Sequence, residues 1–593
     1  MRPSHVASLT FAAVLLVACS GIEKPPATTP LPPPTSASHP GRNFAQLVDD
    51  YLDYHFRTLP AASTGVGYHR YDDRFVDFRE ASIQKTLIGI RGFEQRLTAI
   101  DRNLLNTEEA ADYDILVNRI AEGIYLLEEL RPWASNPMVY VDEILFGLDE
   151  LVGNEFRPLA ERLELIIARE KQIGFVLAAA RDNLVRPHPE LIRLAIDTLG
   201  SALVFLAETL PEAVSRVQDA DLLGRFRDAN REAIEEVKAF YDYLDRQLQS
   251  PRKGSFTMGA DALGRLLELR EMVDLPVANL LEIAEQRLED RCQAFPQLAE
   301  QVGAGLSPEE ALAVMREDHG EADSLLDDTA AVVGELRRFV EEKGLVSVPT
   351  SEPLRVAPMP PYQFGLAIVH YPGPLEPETL GSYYYYVSPV ERDWSDEEEL
   401  AHLQAFNRPA MIITSIHETY PGHYVQSLHV RRCPSKIRRV FQSYAFVEGW
   451  AHYTEGLMLD QGLYAGNPDV ELPLVKLALA HDELLRLCRV VAAIRLHAYE
   501  MTLEEAQQLF VEKGFQDAAT AEYEARKAIA DPMVMSYTLG RLLIEKLRDD
   551  YAAWKGESFS LREFHDDLLS HGAPPVPILR RLMLPIDLDG AIL

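Results

Sequence analysis

Apolar residues recur with a helical period along most of this 593-residue chain. Near the start of the folded part, five of them fall at i, i+3, i+4, i+7 and i+8: Phe44, Leu47, Val48, Tyr51 and Leu52. Similar stripes recur in six later segments: 104–131, 155–182, 189–218, 224–249, 277–300 and 323–343. This spacing places the apolar side chains on one face of an α-helix. Because no fixed period relates the segments, a repeat solenoid is disfavoured. The pattern predicts a large, mainly α-helical body.

One region, residues 346–392, departs from the helical pattern. It contains two β-branched and aromatic runs bounded by Pro or Gly, GLAIVHYPGP (365–374) and GSYYYYVSP (381–389). Such runs are typical of short strands. We therefore predict a small β insert, a hairpin-like ribbon of two strands, after which the helical pattern resumes at Asp396.

The first 18 residues are predicted to be a signal peptide. An apolar stretch ends at Ala18 and is too short to cross a membrane. The sequence Leu16-Val17-Ala18-Cys19 resembles the lipobox of bacterial lipoproteins. The resemblance implies that Cys19 carries a lipid in the cell envelope and, with Ser20 next to it, on an outer membrane facing the periplasm. A plain secretory signal with an accidental Cys is the alternative, and a cytoplasmic protein is excluded only if the signal is real.

Residues 19–42 are rich in Pro, Ser and Thr, which predicts an extended tether. Residues 43–593 are predicted to form the helical domain. No later stretch reaches about 18 uninterrupted apolar residues, so the N-terminal lipid would be the only membrane contact.

The charge balance excludes one class of function. The chain has 92 Asp and Glu against 58 Lys and Arg, a formal net charge of −34. Binding to nucleic-acid phosphates requires clustered Lys and Arg, so we expect no nucleic-acid partner.

A cluster of metal-ligand types lies in the middle of the second half. His417-Glu418 and His423 supply two imidazoles and a carboxylate within seven residues. Zinc binds neutral imidazoles, and a carboxylate next to a ligand can take a proton from a water on the metal. On an ideal helix, however, the two His would lie about 240° apart. Pro421-Gly422 between them predicts a bulge or kink that turns His423 back toward His417. The alternative is two unrelated surface histidines near a helix break.

A second segment, residues 446–455, reads FVEGWAHYTE within a helical pattern from Pro434 to Gln461. Glu448, His452 and Glu455 fall on one helix face, together with Tyr444. A Glu from a following helix commonly completes a site that begins with two His, which favours Glu448 as the third ligand. Glu455 could hydrogen-bond a ligand imidazole from behind. His452 could compete as a ligand, or the carboxylates could simply be solvated.

The two motifs HETYPGH and EGWAHYTE resemble a bacterial family known as domain of unknown function 885. Its members include many lipoproteins and are predicted zinc metallopeptidases. Their helical fold, with a deep cleft, resembles thimet oligopeptidase, carboxypeptidase Taq and angiotensin-converting enzyme. Carried over to residues 43–590, the resemblance implies one Zn²⁺ per chain. Its ligands would be His417, His423 and Glu448, with Glu418 as the catalytic base.

Further family patterns involve Tyr537, Gly540 and Arg541, and a helix that carries Arg489 and His497. A developing oxyanion is stabilised by a Tyr or His donor, and a free carboxylate by Arg. We therefore expect Tyr537 and His497 to be catalytic, and Arg541 and Arg489 to bind substrate. Each could instead make an interhelical hydrogen bond or ion pair.

The tyrosine run 383–386 could present a strand edge to an extended peptide, with Tyr385 as a substrate-binding residue. Packing of alternate tyrosines against the helices is the alternative.

Together these features predict a zinc-dependent peptidase of the cell envelope that acts on short peptides. One alternative is a zinc amidohydrolase that acts on non-peptide or cell-wall amides. Another is a non-catalytic binding or assembly lipoprotein, although the intact set of two His and two Glu argues against it. The sequence does not identify protein partners.

Overall fold

The computed structural model describes residues 40–250, 254–349, 354–360, 366–376, 382–391, 394–585 and 593. The predicted signal peptide, Cys19 and most of the predicted tether lie outside these residues. The described chain is mainly α-helical, as predicted, and separates into two compact units, the first ending at Ser255 and the second beginning at Phe256. The sequence analysis treated 43–593 as one helical region and identified no boundary there. None of the described helices is both long and apolar enough to cross a membrane.

The first unit is built from helices α1 to α11, several of them joined by short 3₁₀ or π segments. Their bounds are α1 (Pro40–Thr58), α2 (Pro60–Gly65), α3 (Glu80–Thr98), α4 (Thr107–Tyr125), α5 (Pro132–Ser135), α6 (Met138–Gly153), α7 (Leu159–Glu170), α8 (Ile173–Asn183), α9 (Pro189–Val204), α10 (Leu210–Val214) and α11 (Ala220–Leu248). All five residues of the first predicted stripe are buried in α1. The stripe predicted over 155–182 is divided between α7 and α8.

The second unit contains helices α12 to α26. Their bounds are α12 (Ala260–Glu271), α13 (Val277–Val302), α14 (Pro308–Arg316), α15 (Leu325–Lys343), α16 (Asp396–Ala405), α17 (Arg408–Glu418), α18 (His423–Arg432), α19 (Lys436–Val440), α20 (Tyr444–Asp460), α21 (Leu472–Ala498), α22 (Leu503–Glu512), α23 (Ala518–Ala530), α24 (Ser536–Lys555), α25 (Leu561–Ser570) and α26 (Val576–Met583). The helix predicted from Pro434 to Gln461 is thus two helices, α19 and α20.

Helix α20 lies at the centre of the second unit. Its first turn is capped by Ser443, whose side chain accepts a hydrogen bond from the Phe446 N–H. Helix α24 crosses α20 so closely that a Cβ atom on Gly449 would overlap the backbone of Gly540. The two glycines therefore allow the backbones to touch, which brings the side chains of α24 close to those of α20.

The β insert contains three strands, β1 (Arg355–Pro358), β2 (Ala367–His370) and β3 (Tyr384–Val387). Strand β3 lies between the other two, antiparallel to β2 and parallel to β1. The two predicted strands are confirmed as β2 and β3, but the prediction of a two-stranded ribbon was wrong. A parallel neighbour is joined by a long connection rather than a tight turn, so no local turn signal marks β1.

Because β3 is the central strand, the prediction that the tyrosine run offers a strand edge was also wrong. Tyr385 is fully buried, and its hydroxyl lies 3.3 Å from the Ser415 hydroxyl. Tyr384 and Tyr386 point to the other face of the sheet, where their rings stack with centroids 5.2 Å apart. The packing alternative therefore describes this segment.

Candidate metal centre

The three predicted metal ligands come together in the second unit. His417 is in the last turn of α17, His423 is the first residue of α18, and Glu448 is in α20. Their ligand atoms all lie within 4.8 Å of one another, and both His Nε2 atoms are 3.5 Å from Glu448 Oε2. Tetrahedral ligands about 2.0–2.2 Å from a zinc ion are about 3.4 Å apart, so this buried arrangement fits one such ion.

The approach of the two histidines depends on the break between α17 and α18. Pro421 lacks the N–H that a continuous helix would need. A Cβ atom on Gly422 would overlap the carbonyl oxygen of His417, so only glycine allows the chain to turn so sharply. The Trp450 indole N–H donates to the Pro421 carbonyl at 2.9 Å and ties the break to α20. The imidazoles of His417 and His423 stand perpendicular, with centroids 4.7 Å apart. The predicted kink is a complete interruption of the helix.

Behind the first predicted ligand, His417, lies the predicted supporting carboxylate. Glu455 Oε1 is 2.7 Å from His417 Nδ1, on the side of the ring opposite Nε2. Arg486 donates to both oxygens of Glu455, at 2.8 and 2.9 Å. A hydrogen bond from Nδ1–H to Glu455 leaves the Nε2 lone pair directed at the cluster, as a metal ligand requires. The sequence analysis missed Arg486, which shares α21 with Arg489 and Arg495 and is not distinguished from them by the local pattern.

The ionisable side chains of the cluster shift one another's pKa values. Burial by itself raises the pKa of Glu448, but the imidazoles of His423 and His417 outweigh it and hold that pKa well below its usual range. Burial lowers the pKa of His417, but hydrogen bonds to Glu448 and Glu455 outweigh it and raise that pKa to about 10. The carboxylate is therefore charged at neutral pH, and a cation that binds here displaces the His417 proton.

The predicted base, Glu418, is half-buried at the end of α17. Its Oε2 atom accepts a hydrogen bond from the Val369 N–H of β2 at 2.9 Å. The carboxylate next to His417 in the chain therefore also lies beside an outer strand of the sheet.

Tyr537 is the second predicted catalytic residue that lies at the cluster. Its ring centroid is 6.5 Å from that of His417 and 5.6 Å from that of Tyr444. The guanidinium carbon of Arg489 lies 5.4 Å from the centre of the Tyr537 ring. Arg489 is itself held by both oxygens of Glu524, at 2.6 and 2.7 Å. Arg489 thus supports Tyr537. Its partner Glu524, on α23, was missed by the sequence analysis.

Two predicted site residues are not part of the cluster. Arg541 directs its guanidinium at Glu483, Glu545 and the Nε2 atom of His452, which is 3.1 Å away. The alternative of His452 as a metal ligand is therefore not supported, because its Nε2 atom faces a cation. His497 lies three turns beyond Arg486 on α21, with Nε2 3.0 Å from the Ala528 carbonyl oxygen.

A family model described as "Bacterial protein of unknown function (DUF885)" matches residues 60–583. The chain belongs to this family. The resemblance predicted from the two motifs is confirmed.

Two solved structures are similar to this DUF885 member over almost its whole length. One is a candidate lipoprotein of unknown function from Shewanella oneidensis, with 25% identity, a TM-score of 0.77, and coverage of 93% of this chain and 100% of that chain. The other is a candidate lipoprotein from Colwellia psychrerythraea, with 16% identity, a TM-score of 0.75, and coverage of 92% and 98%. No curated protein matches the chain significantly.

Proposed function

We propose that this DUF885 protein is a zinc-dependent hydrolase of peptide bonds in short peptides. The observation that carries the proposal is the convergence of His417, His423 and Glu448 within 4.8 Å, with Glu418 next to the first ligand. A zinc ion in such a site lowers the pKa of a water molecule to near 7 and polarises a carbonyl group.

Glu418 has the position of a general base. It follows ligand His417 directly, yet its carboxylate is outside the ligand set and only half-buried. It would take the proton of the attacking water and deliver it to the departing amine. The Tyr537 hydroxyl would donate a hydrogen bond to the carbonyl oxygen of the substrate as negative charge develops there. The Arg489 guanidinium packs against the Tyr537 ring and helps to hold it beside the cluster.

The sheet supports a peptide as the substrate. Ser388 N donates to the Leu366 carbonyl, so in the antiparallel β2–β3 pair the residues at 368 and 370 also bond to β3. The backbone groups of Ala367 and Val369 then face the opposite side, where Glu418 accepts from Val369 N. An extended chain that pairs with this side of β2 would pass directly by Glu418. Backbone pairing of this kind accepts any peptide sequence, whereas a non-peptide amide lacks it.

The direct test is metal analysis of the purified protein combined with digestion of a peptide library. We expect about one zinc per chain and cleavage that a chelator abolishes. Glu418→Gln should keep the zinc and lower turnover by about 10²–10⁴-fold, the usual share of acid–base catalysis. Glu448→Gln is the matched variant, and it should lower zinc occupancy because it weakens a ligand.

Other outcomes would contradict the proposal. Loss of zinc in Glu418→Gln but not in Glu448→Gln would mean that the two roles are reversed. Cleavage of non-peptide amides alone would favour the amidohydrolase, and zinc binding without any hydrolysis would favour a binding module.

We further propose that the protein is an envelope-associated lipoprotein. The Leu16–Cys19 sequence and the two similar structures, both described as candidate lipoproteins, support this assignment. The finer proposal places the lipid on Cys19 at the outer membrane. Cys19→Ser should release soluble protein or block processing, and a variant that still fractionates with membranes would rule out the lipid as the anchor.

A further inference from the structure

The second unit contains a cavity of about 260 Å³ between α13, α20, α21 and α24. Its charged and polar lining includes three arginines, two acids and a threonine: Arg287, Arg291, Arg541, Asp290, Glu483 and Thr538. Neither the three metal ligands nor Glu418 nor Tyr537 is among its lining residues. The cavity is therefore lined by different residues from the candidate metal centre, although Thr538 directly follows Tyr537 in the chain.

The two acids of the lining are already engaged. Glu483 is shared, since its carboxylate faces both Arg541 and Arg291, the latter at 2.6 Å. Asp290 Oδ1 accepts a hydrogen bond from the Gln286 amide at 2.9 Å. Arg541 also pairs with Glu545 at 2.8 Å, so Arg541 and Arg291 both face carboxylates.

The third arginine of the lining, Arg287, differs from these two. Arg287 is exposed on α13 and makes no hydrogen bond or ion pair with any residue in the described part of the chain. A guanidinium offers five N–H donors in a planar fork that matches the two oxygens of a carboxylate or a phosphate. Arg287 is therefore positioned to bind an anion in the cavity.

A second group in the lining lacks a partner. Thr538 is only 5% exposed, and its Oγ1 atom has no hydrogen-bond partner among the described residues. A buried hydroxyl without a partner is unfavourable, so such groups normally bond to protein, water or ligand. An anion oxygen inside the cavity would accept its hydrogen bond.

We propose that this cavity binds a small molecule that carries an oxyanion, either a carboxylate or a phosphate group, through Arg287 and Thr538. Pockets for drug-sized ligands are about 300–1,000 Å³, so this smaller cavity suits a molecule the size of an amino acid. The site requires no metal and does not depend on the proposed hydrolysis.

The test is a titration of the full-length purified protein with sodium phosphate and, separately, with sodium acetate. Sodium chloride keeps the ionic strength constant, and the thermal unfolding midpoint is measured. At least one oxyanion should raise the midpoint saturably, because it binds only the folded state. A rise with phosphate alone identifies a phosphate site, and a rise with acetate alone identifies a carboxylate site. A rise with both salts means that the cavity accepts either oxyanion.

Variants locate the binding. Arg287→Gln should weaken the anion affinity by about tenfold or more, as expected for loss of a hydrogen bond to a charged group. Thr538→Val should also weaken it. Arg265→Gln, which removes an exposed arginine of α12 that pairs with Glu268, should leave it unchanged.

Two results would overturn the proposal. One is a midpoint that rises equally with chloride alone, and the other is unchanged anion affinity in Arg287→Gln. Because Arg287 is exposed and has no partner to lose, that variant decides the question even if Thr538→Val does not fold.

Discussion

Both units enclose carboxyl groups, but in opposite electrostatic surroundings. In the first unit, burial dominates and raises the pKa of Glu143 and Glu150 to about 7 and that of Glu170 to about 8. Their hydrogen-bond donors are neutral groups, such as the Val76 N–H for Glu143 and the Asn230 amide for Glu170. These carboxyl groups therefore tend to keep their protons near neutral pH.

In the second unit, each buried carboxylate around the candidate site faces a cation or an imidazole. Arg489 outweighs burial and lowers the pKa of Glu524, as the two imidazoles do for Glu448. Glu455 lies between His417 and Arg486. Burial alone thus does not decide the charge of a carboxyl group. The partner decides it, and at the candidate metal centre His417 and His423 keep the buried Glu448 negatively charged.

The largest effect on stability should come from breaking a buried ion pair in the second unit. Glu524→Gln leaves the Arg489 charge buried without its partner, so we expect the free energy of unfolding to fall by about 3–5 kcal/mol. Chemical denaturation measures this change. Glu522→Gln on the same helix is the control, because the Glu522–Arg526 pair is half-exposed and should contribute about 1 kcal/mol or less. Equal losses in the two variants would mean that the buried Glu524–Arg489 pair stabilises the protein no more than the half-exposed Glu522–Arg526 pair does.

A smaller effect, on metal affinity, is expected from replacing Glu455, which lies behind His417. Glu455→Gln keeps an acceptor for His417 Nδ1–H but removes the negative charge between His417 and Arg486. Metal affinity should fall by about 10–100-fold, as is usual for groups that support a ligand. Competition with a coloured chelator measures it. Asp482→Asn, which lies 3.7 Å from Arg486 but away from His417, should leave the affinity within about twofold.

The smallest expected effect is a gain in stability, and it comes from replacing a buried carboxyl group of the first unit. Glu170 keeps its proton up to a pH of about 8 in the folded state, whereas in the unfolded chain its pKa is 4.5. The folded state then binds more protons, so this residue lowers the stability as the pH rises from about 4.5 to 8. Glu170→Gln removes that loss and should raise the free energy of unfolding at pH 8 by about 1–2 kcal/mol, with little change at pH 5.

Denaturation at the two pH values tests the sign. Glu164→Gln on the same helix removes an exposed partner of Arg225 and should give no stabilisation at pH 8. If Glu170→Gln destabilises the protein equally at both pH values, the carboxyl group is charged in the folded state and the contrast fails.

The roles of two arginines show what could not be assigned from the sequence. Arg541 and Arg489 were both expected to bind substrate, yet Arg541 lies at Glu483 and Glu545, and Arg489 lies between Glu524 and the Tyr537 ring. A motif shows that a residue type is present, but its partner comes from another helix. Which carboxylate an arginine meets depends on how the helices pack.

The sequence by itself determined the local features of this protein. The helical period predicts the α-helical body, Pro421-Gly422 predicts the interruption between the histidines, and the spacing of Glu448 and Glu455 places both on one face of α20. These follow from backbone preferences and periodicity within a few turns of chain. Only the tertiary structure decided the parallel pairing of β1 with β3, the support of Glu455 by Arg486, and the position of Arg541. Each of these joins elements that are distant in sequence, and packing between whole helices and strands selects them rather than any local preference.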